Sequence, residues 1–188
     1  MNNLKKTKIF YDKRTEIGSI ILDKVGDNEV IYGQRAINVQ LPFKLRVYTE
    51  DYDIFAKNPR KEAIEVEKAL DKFFGGNYFI VKPAKHSGTF RIVSVVDGKI
   101  YADYTKVSTG IPYTIINGKK YITLDYAKKE KIRILKNPGA KFRHAKDRDA
   151  LNRIKLAQKI RQRRTVFPRR KYLDIDQSLL IKSEFNMK

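Results

Sequence analysis

Three acidic residues stand close together in VYTEDYDIFAKN, the stretch that covers residues 47–58. Glu50, Asp51 and Asp53 repel one another, and burying them is costly unless their charge is compensated. If the stretch is a strand, Asp51 and Asp53 project from one face with Cα atoms about 6.5–7 Å apart. Carboxylates placed in this way can converge on two divalent cations about 3.5–4 Å apart. The pair therefore predicts a metal site.

Two other Asp-x-Asp pairs occur in settings that favour a metal site less. Asp147 and Asp149 fall in a predicted helix, where residues i and i+2 diverge, so we interpret them as solvated charges. Asp174 and Asp176 lie in YLDIDQSLL, which has no glycine turn before it and no later acid to complete a site.

Residues on both sides of Asp51 and Asp53 strengthen the interpretation of this pair as a metal site. Upstream, the sequence NEVIYGQRAIN predicts a strand that ends at Gly33 and a helix that opens at Gln34. Glycine lets a phosphate approach the backbone, and a helix N-terminus favours anions. Downstream, KIYADYTKV places Asp103 on another predicted strand, where it could be a third metal ligand. The alternative is that all three aspartates are exposed strand positions paired with lysines, but the combination favours the metal site.

The net charge predicts a polyanionic partner. The chain has 41 Lys and Arg against 21 Asp and Glu, a formal charge of +20. The excess is concentrated in residues 131–171, which hold sixteen Lys and Arg and two acids. Such a stripe favours phosphates, because each phosphate that it neutralises releases counterions. A solvated surface or contact with an acidic membrane or protein would explain it too, but we favour a nucleotide or nucleic acid.

Composition excludes several other classes of site. The absence of cysteine excludes disulfides, thiolate zinc sites and cysteine nucleophiles, and two histidines argue against a histidine-built zinc site. No apolar run is long enough for a transmembrane helix, and the N-terminus lacks the apolar region of a secretory signal. We therefore expect no membrane partner and a reducing, cytoplasmic setting.

The elements that must position the aspartates form an α+β pattern. Strands and helices alternate in the first half of the chain, and hairpin turns at Asp97-Gly98 and Asn117-Gly118 follow. This order predicts a mixed sheet with helices packed mainly on one face, followed by a basic C-terminal helix. The predicted helices cover residues 14–25, 34–41, 59–74 and roughly 143–163, and the predicted strands cover 28–33, 46–55, 77–83, 89–96, 99–107 and 113–124.

This arrangement resembles the nucleotidyltransferase superfamily, the fold of DNA polymerase beta and of poly(A) polymerases. The matching elements are Tyr32-Gly33-Gln34 at a helix start, Asp51-Tyr52-Asp53, and the later Asp103. Over residues 15–155 the sequence looks closest to poly(A)-polymerase-like members from large DNA viruses and phages. The resemblance divides the chain into a catalytic domain, residues 1–140, and a basic helical extension, residues 141–188. It leaves open a setting in the host cytoplasm or in a virion.

The resemblance implies template-independent transfer of a nucleoside monophosphate, most of all AMP, from a nucleoside triphosphate to an RNA 3′ end. Asp51 and Asp53 would hold two Mg²⁺ or Mn²⁺ ions, and Asp103 would bind the ion that lowers the pKa of the acceptor hydroxyl. Gly33 would steady the triphosphate. Gln34 departs from the glycine or serine that the family prefers, so it either crowds the phosphates or donates a hydrogen bond to them. A toxin-like enzyme that modifies tRNA or protein, or an inactive fold that binds nucleic acid, stays open.

Residues 141–171 combine an amphipathic helix with a polybasic end. We predict that Lys146 faces the triphosphate and that the basic end follows an RNA backbone. A solvated helix face is the alternative, and a partner subunit is an option because the chain has little room for a separate RNA-binding domain. The predicted nucleic-acid-binding residues are Arg161, Arg163, Arg164, Arg169, Arg170 and Lys171.

Overall fold

A seven-stranded mixed sheet forms the centre of the molecule. The computed structural model describes residues 12–107 and 110–166, and of residues 163–166 the backbone alone. The strand order is β3-β4-β5-β2-β1-β7-β6, in which β2 pairs with β5 and β1 with β7 in parallel and all other pairs are antiparallel. This architecture confirms the predicted fold class. The strands are β1 (Val30–Tyr32), β2 (Tyr52–Ala56), β3 (Phe79–Pro83), β4 (Thr89–Ser94), β5 (Ile100–Lys106), β6 (Tyr113–Ile116) and β7 (Lys119–Ile122).

Five α-helices accompany the sheet in the described part of the chain. They are α1 (Arg14–Lys24), α2 (Gly33–Gln40), α3 (Pro59–Phe74), α4 (Leu124–Leu135) and α5 (His144–Val166), with short 3-10 helices at Phe43–Leu45 and Pro138–Arg143. Helix α4 was not predicted, because its residues follow a hairpin without a glycine or proline break. In contrast, α3 begins at Pro59 and ends before Gly75 in a left-handed conformation, as the pattern predicts.

The predicted strand over 46–55 is wrong in its first half. Strand β2 begins only at Tyr52, because its antiparallel partner β1 is three residues long and pairs with Asp53, Ile54 and Phe55. The carbonyls of the preceding residues accept hydrogen bonds from a side chain of α2 instead of from a strand. Asp51 is therefore in an extended connection immediately before the strand.

One apolar core joins α1 and α3 to the sheet. Ile21, Leu70, Ile54 and Tyr104 are fully buried in it. Because side chains alternate along a strand, residues Asp53 and Asp103, which neighbour Ile54 and Tyr104, point to the opposite face of the sheet. This core therefore fixes the orientation of the two aspartates.

A second apolar core docks α5. Ala150, Ile154 and Ala157 are buried there with Ile37 of α2 and Ile122 of β7. Burying an isoleucine side chain of this kind contributes about 1.5–3 kcal/mol. The described part of the predicted extension thus shares a core with the sheet. Within the described ranges, no helix has the length and apolar content needed to cross a bilayer.

We expect a buried acid, Glu29, to make stability fall as the pH rises. Glu29 is 5% exposed, and one of its carboxylate oxygens has no hydrogen-bond partner within the described structure. Burial, ahead of the nearby Glu62 and Glu65, raises the pKa of Glu29 from 4.5 to about 7. The folded protein therefore keeps a proton that the unfolded chain releases, and it loses up to about 3 kcal/mol between pH 4.5 and pH 7.

Urea denaturation across this pH range measures the effect. Glu29→Gln should flatten the dependence, because glutamine keeps an oxygen for the Gly26 amide, which donates at 2.7 Å, and carries no titrating group. Equal pH slopes for the parent and the variant would show that Glu29 is not the titrating group.

Candidate functional site

The central strands bring two of the three predicted aspartates side by side. Asp53 lies opposite Tyr32 of β1 on one side and opposite Asp103 of β5 on the other. Adjacent strands are about 4.7–4.9 Å apart, so the two carboxylates project from one face as neighbours. Tyr32 belongs to the same surface, where its hydroxyl lies 2.8 Å from the hydroxyl of Thr105.

Asp51 joins this surface from the connection before β2. The hydroxyl of Thr49 donates a hydrogen bond of 2.7 Å to the Asp51 carboxylate. The guanidinium of Arg35 donates to the carbonyls of Thr49, Glu50 and Asp51 and lies 3.5 Å from the ring centre of Tyr52. Arg35 thus fixes the backbone that carries Asp51. Nothing in the sequence distinguishes it from an ordinary exposed helical arginine.

Gly33 occupies a position that only glycine fits. It opens α2 directly after β1 and has a φ of +67°. A Cβ at this position would overlap the Asp53 carboxylate and lie 2.7 Å from its Cγ. The start of α2 and the carboxylate of Asp53 are therefore in direct contact. A group bound by Asp53 is also next to the free amides of the helix.

Ionisation of Asp53 is unfavourable in this site. Burial, followed by the charges of Asp51 and Asp103, raises the pKa of Asp53 from 3.8 to about 7. The positive charges of Lys146 on α5 and Lys131 on α4 lower the pKa of Asp53, so both cations lie near it. Lys146 is exposed, so its ammonium can reach a ligand beside the carboxylates.

Arg91 of β4 compensates Asp103. Its Nε and one terminal nitrogen donate to the two carboxylate oxygens at 3.1 and 2.9 Å. Among residues 12–107 and 110–166, no three His, Cys, Asp or Glu side chains are grouped closely enough to hold a metal ion. A contribution of Asp103 to a cation site therefore requires that its ion pair with Arg91 open. No sequence pattern indicates that Arg91 is the partner of Asp103.

Gln34 is tied to its own helix and to α5. Its side chain is 8% exposed, its amide nitrogen donates to Asn38 at 2.8 Å, and its oxygen accepts from Arg153 at 3.3 Å. Both polar groups of the amide are thus already in use. Its predicted contact with a triphosphate stays a prediction.

The predicted nucleic-acid-binding residues are only partly within the described structure. Arg161 is exposed and donates to the Gln40 carbonyl at 2.7 Å. Arg163 and Arg164 lie on α5, where the backbone alone is described, and Arg169, Arg170 and Lys171 lie outside the described residues. Their contact with a nucleic acid stays a prediction.

The interpretation of Asp147 as a solvated charge is wrong. Asp147 is completely buried, and its carboxylate accepts hydrogen bonds of 2.6 Å from Lys131 and Arg143. Lys131 belongs to α4, which was not predicted, so its ion pair with Asp147 could not be foreseen. Asp149 is exposed and pairs with Arg153, as expected for a helix surface.

We expect Asp147→Asn to destabilise the fold by about 3 kcal/mol, because it leaves a lysine and an arginine without their buried counterion. Urea denaturation measures this loss. Asp149→Asn is the matched control, since its side chain is 61% exposed, and its loss should stay below about 1 kcal/mol. Equal losses in the two variants would contradict a buried ion-pair network.

Comparison with known proteins identifies the fold. No protein family profile matches the sequence, and no curated protein matches it. The crystal structure of the Megavirus polyadenylate synthase matches with a TM-score of 0.68 and 23% sequence identity, over 79% of this chain and 32% of that one. The chain is similar in fold to part of this viral polyadenylate synthase. It spans about a third of the length of that protein. On this sheet Asp53 and Asp103 are neighbours, Gly33 contacts Asp53, and Asp51 lies in the connection just before β2.

Proposed function

We propose that the chain is a template-independent nucleotidyltransferase that adds adenylate from ATP to an RNA 3′ end. One observation carries the proposal. The carboxylate of Asp53 lies against Gly33 at the start of α2, beside Asp51 and Asp103. Carboxylates next to a helix N-terminus provide places for cations and for phosphates at the same site. The likeness to a polyadenylate synthase supports the choice of reaction.

The aspartates fit a divalent cation. The pKa of Asp53 is raised by burial and by its acidic neighbours, so the ionised form lacks a sufficient counterion within the protein. Asp51 and Asp53 would hold Mg²⁺ or Mn²⁺, since carboxylate oxygens are the ligands that these ions prefer. When bound, the ions supply charge neutralisation at the phosphates and acidify the attacking hydroxyl. Asp103 would join them after release from Arg91.

The remaining residues position the triphosphate. Gly33 allows the phosphates to approach the first amides of α2 without meeting a side chain. Lys146 and Lys131 place positive charge near the carboxylates, which favours a phosphate-rich ligand over a neutral one. In phosphoryl transfer this positioning and charge neutralisation account for most of the catalysis.

Two observations favour a second candidate, an inactive fold that binds nucleic acid. Arg91 already neutralises Asp103, and the amide of Gln34 already donates to Asn38 and accepts from Arg153. In that case the basic surface would bind RNA and the carboxylates would bind no substrate. The two candidates differ in whether label from a nucleotide becomes covalently attached to RNA.

Incubation with each labelled nucleoside triphosphate, single-stranded RNA and Mg²⁺ or Mn²⁺ separates the candidates. The proposal predicts a ladder of lengthened RNA, longest with ATP. One labelled band on tRNA or on protein would indicate the toxin-like reaction instead. No incorporation, combined with salt-sensitive RNA binding, would support the inactive fold.

A further inference from the structure

A basic groove lies away from the carboxylates, between α3 and the end of the sheet at which β4 begins and β5 ends. It has a volume of about 820 Å³, and a second hollow of about 410 Å³ continues it, sharing Arg60, Ile64 and Phe90. Lys57, at one wall, directly follows the end of β2, whereas Asp53 lies near the start of that strand. Lys57 is four positions after Asp53 along this extended chain, so the two residues are about 13 Å apart. The groove is thus distinct from the site described above.

Most cations of the groove lack an ion-pair partner. The larger hollow is lined by five basic residues and one acid, Glu65, which pairs with Lys61 at 3.8 Å, and the smaller hollow adds a second acid, Glu67. The other four form no ion pair with any residue in the described ranges. Like charges grouped in a concave surface repel one another and attract anions. These four residues are Lys57, Arg60, Lys68 and Lys106.

Two basic residues of the groove, the unpaired Arg60 and the paired Lys61, have an unfavourable position on α3. Arg60 and Lys61 occupy the first turn of the helix, where the helix dipole favours acids and disfavours bases. Both side chains are exposed and line the groove. Positive charge at a helix N-terminus is stabilised when an anion occupies the adjacent groove.

We propose that this groove binds the phosphate backbone of single-stranded RNA. The choice of RNA as the anion rests on the proposed function. The cations line the rim, while Ile64 and Phe90 form an apolar floor that is partly exposed. This combination fits a single strand, whose phosphates contact the cations and whose bases contact the apolar floor. A flat anionic membrane does not fit a concave surface, and an acidic peptide has no flat bases for the floor.

Equilibrium binding of a fluorescent single-stranded RNA tests the groove, with neither nucleotide nor divalent cation present. The groove variant combines Arg60→Gln, Lys68→Gln and Lys106→Gln. The control variant combines Lys24→Gln, Lys72→Gln and Lys129→Gln, three exposed lysines that lie outside the groove and change the net charge equally. Anisotropy is measured over a range of KCl concentrations, and thermal melting checks the fold of both variants.

The groove variant should reduce the slope of log K against log salt by about 2, since each lost single-strand phosphate contact removes about 0.7. If the variant and the parent bind RNA equally at the high-salt end of a tenfold range, the variant binds about 100-fold more weakly at the low-salt end. Its melting temperature should be no lower than that of the parent, because Arg60 opposes the helix dipole. Asp53→Asn should bind RNA with the same affinity as the parent. The test of RNA binding by the groove therefore stands even if the protein shows no nucleotidyltransferase activity.

Equal slopes for the groove and control variants would overturn the proposal. So would a groove variant that keeps its RNA affinity but loses binding to polyglutamate or to phosphatidylserine vesicles, since the partner would then be an acidic protein or a membrane.

Discussion

Asp53→Asn should lower nucleotide incorporation into RNA by at least about 1,000-fold. Asparagine has nearly the same shape, so the contact with Gly33 is kept while the negative charge is lost. Without that charge, the site holds a divalent cation more weakly, and the phosphates lose the positive charge that the cation provides. Gel analysis of labelled RNA measures the change under conditions in which the parent is active.

Two further readouts distinguish this effect from damage to the fold. The melting temperature of Asp53→Asn without divalent cations should not fall, because the variant removes one of three mutually repelling carboxylates. Its affinity for RNA should match that of the parent. A variant that incorporates label at the parental rate would show that Asp53 is not part of the catalytic site.

Gly33→Ala should abolish activity and destabilise the protein by several kcal/mol. Alanine in the left-handed conformation costs about 1–2 kcal/mol by itself. In addition, the new methyl group overlaps the Asp53 carboxylate, so either the start of α2 or the aspartate must move. Both the helix and the carboxylate contribute to the site, and either displacement removes the arrangement on which transfer depends.

Gly75→Ala separates the steric effect from the backbone effect. Gly75 has a φ of +71°, close to that of Gly33, but a Cβ there meets no atom within 4 Å. Chemical denaturation should therefore show a loss of about 1 kcal/mol for Gly75→Ala, with activity retained. Equal losses for the two variants would mean that the Gly33 contact with Asp53 is unimportant.

The sequence was sufficient to predict the elements that carry their own local signals. Helix α3 has a proline at its start and a glycine after its end, and the Asn117-Gly118 turn marks the β6–β7 hairpin. Such features depend on residues that are near one another along the chain. Asp53 and Asp103 are far apart along the chain, and their placement side by side was expected from the resemblance to the nucleotidyltransferase pattern, not from a local signal.

Partners that are distant along the chain could not be predicted. Arg91 precedes Asp103 by twelve residues, and their contact depends on the register of β4 against β5. Likewise Asp147 and Lys131 are sixteen residues apart and meet because α4 and α5 pack together. A buried charge in a basic stretch resembles a solvated one until its counterion is located.

Divalent cation binding tests the central claim most directly. The loss of the free Mn²⁺ electron paramagnetic resonance signal on titration with protein, at pH 8 and without nucleotide, gives the affinity of the site. We expect the parent to bind Mn²⁺ and Asp53→Asn to bind it at least about tenfold more weakly, because even groups that only support a metal ligand change affinity by this factor. Indistinguishable Mn²⁺ titrations for the two proteins would contradict a cation site built on Asp51 and Asp53.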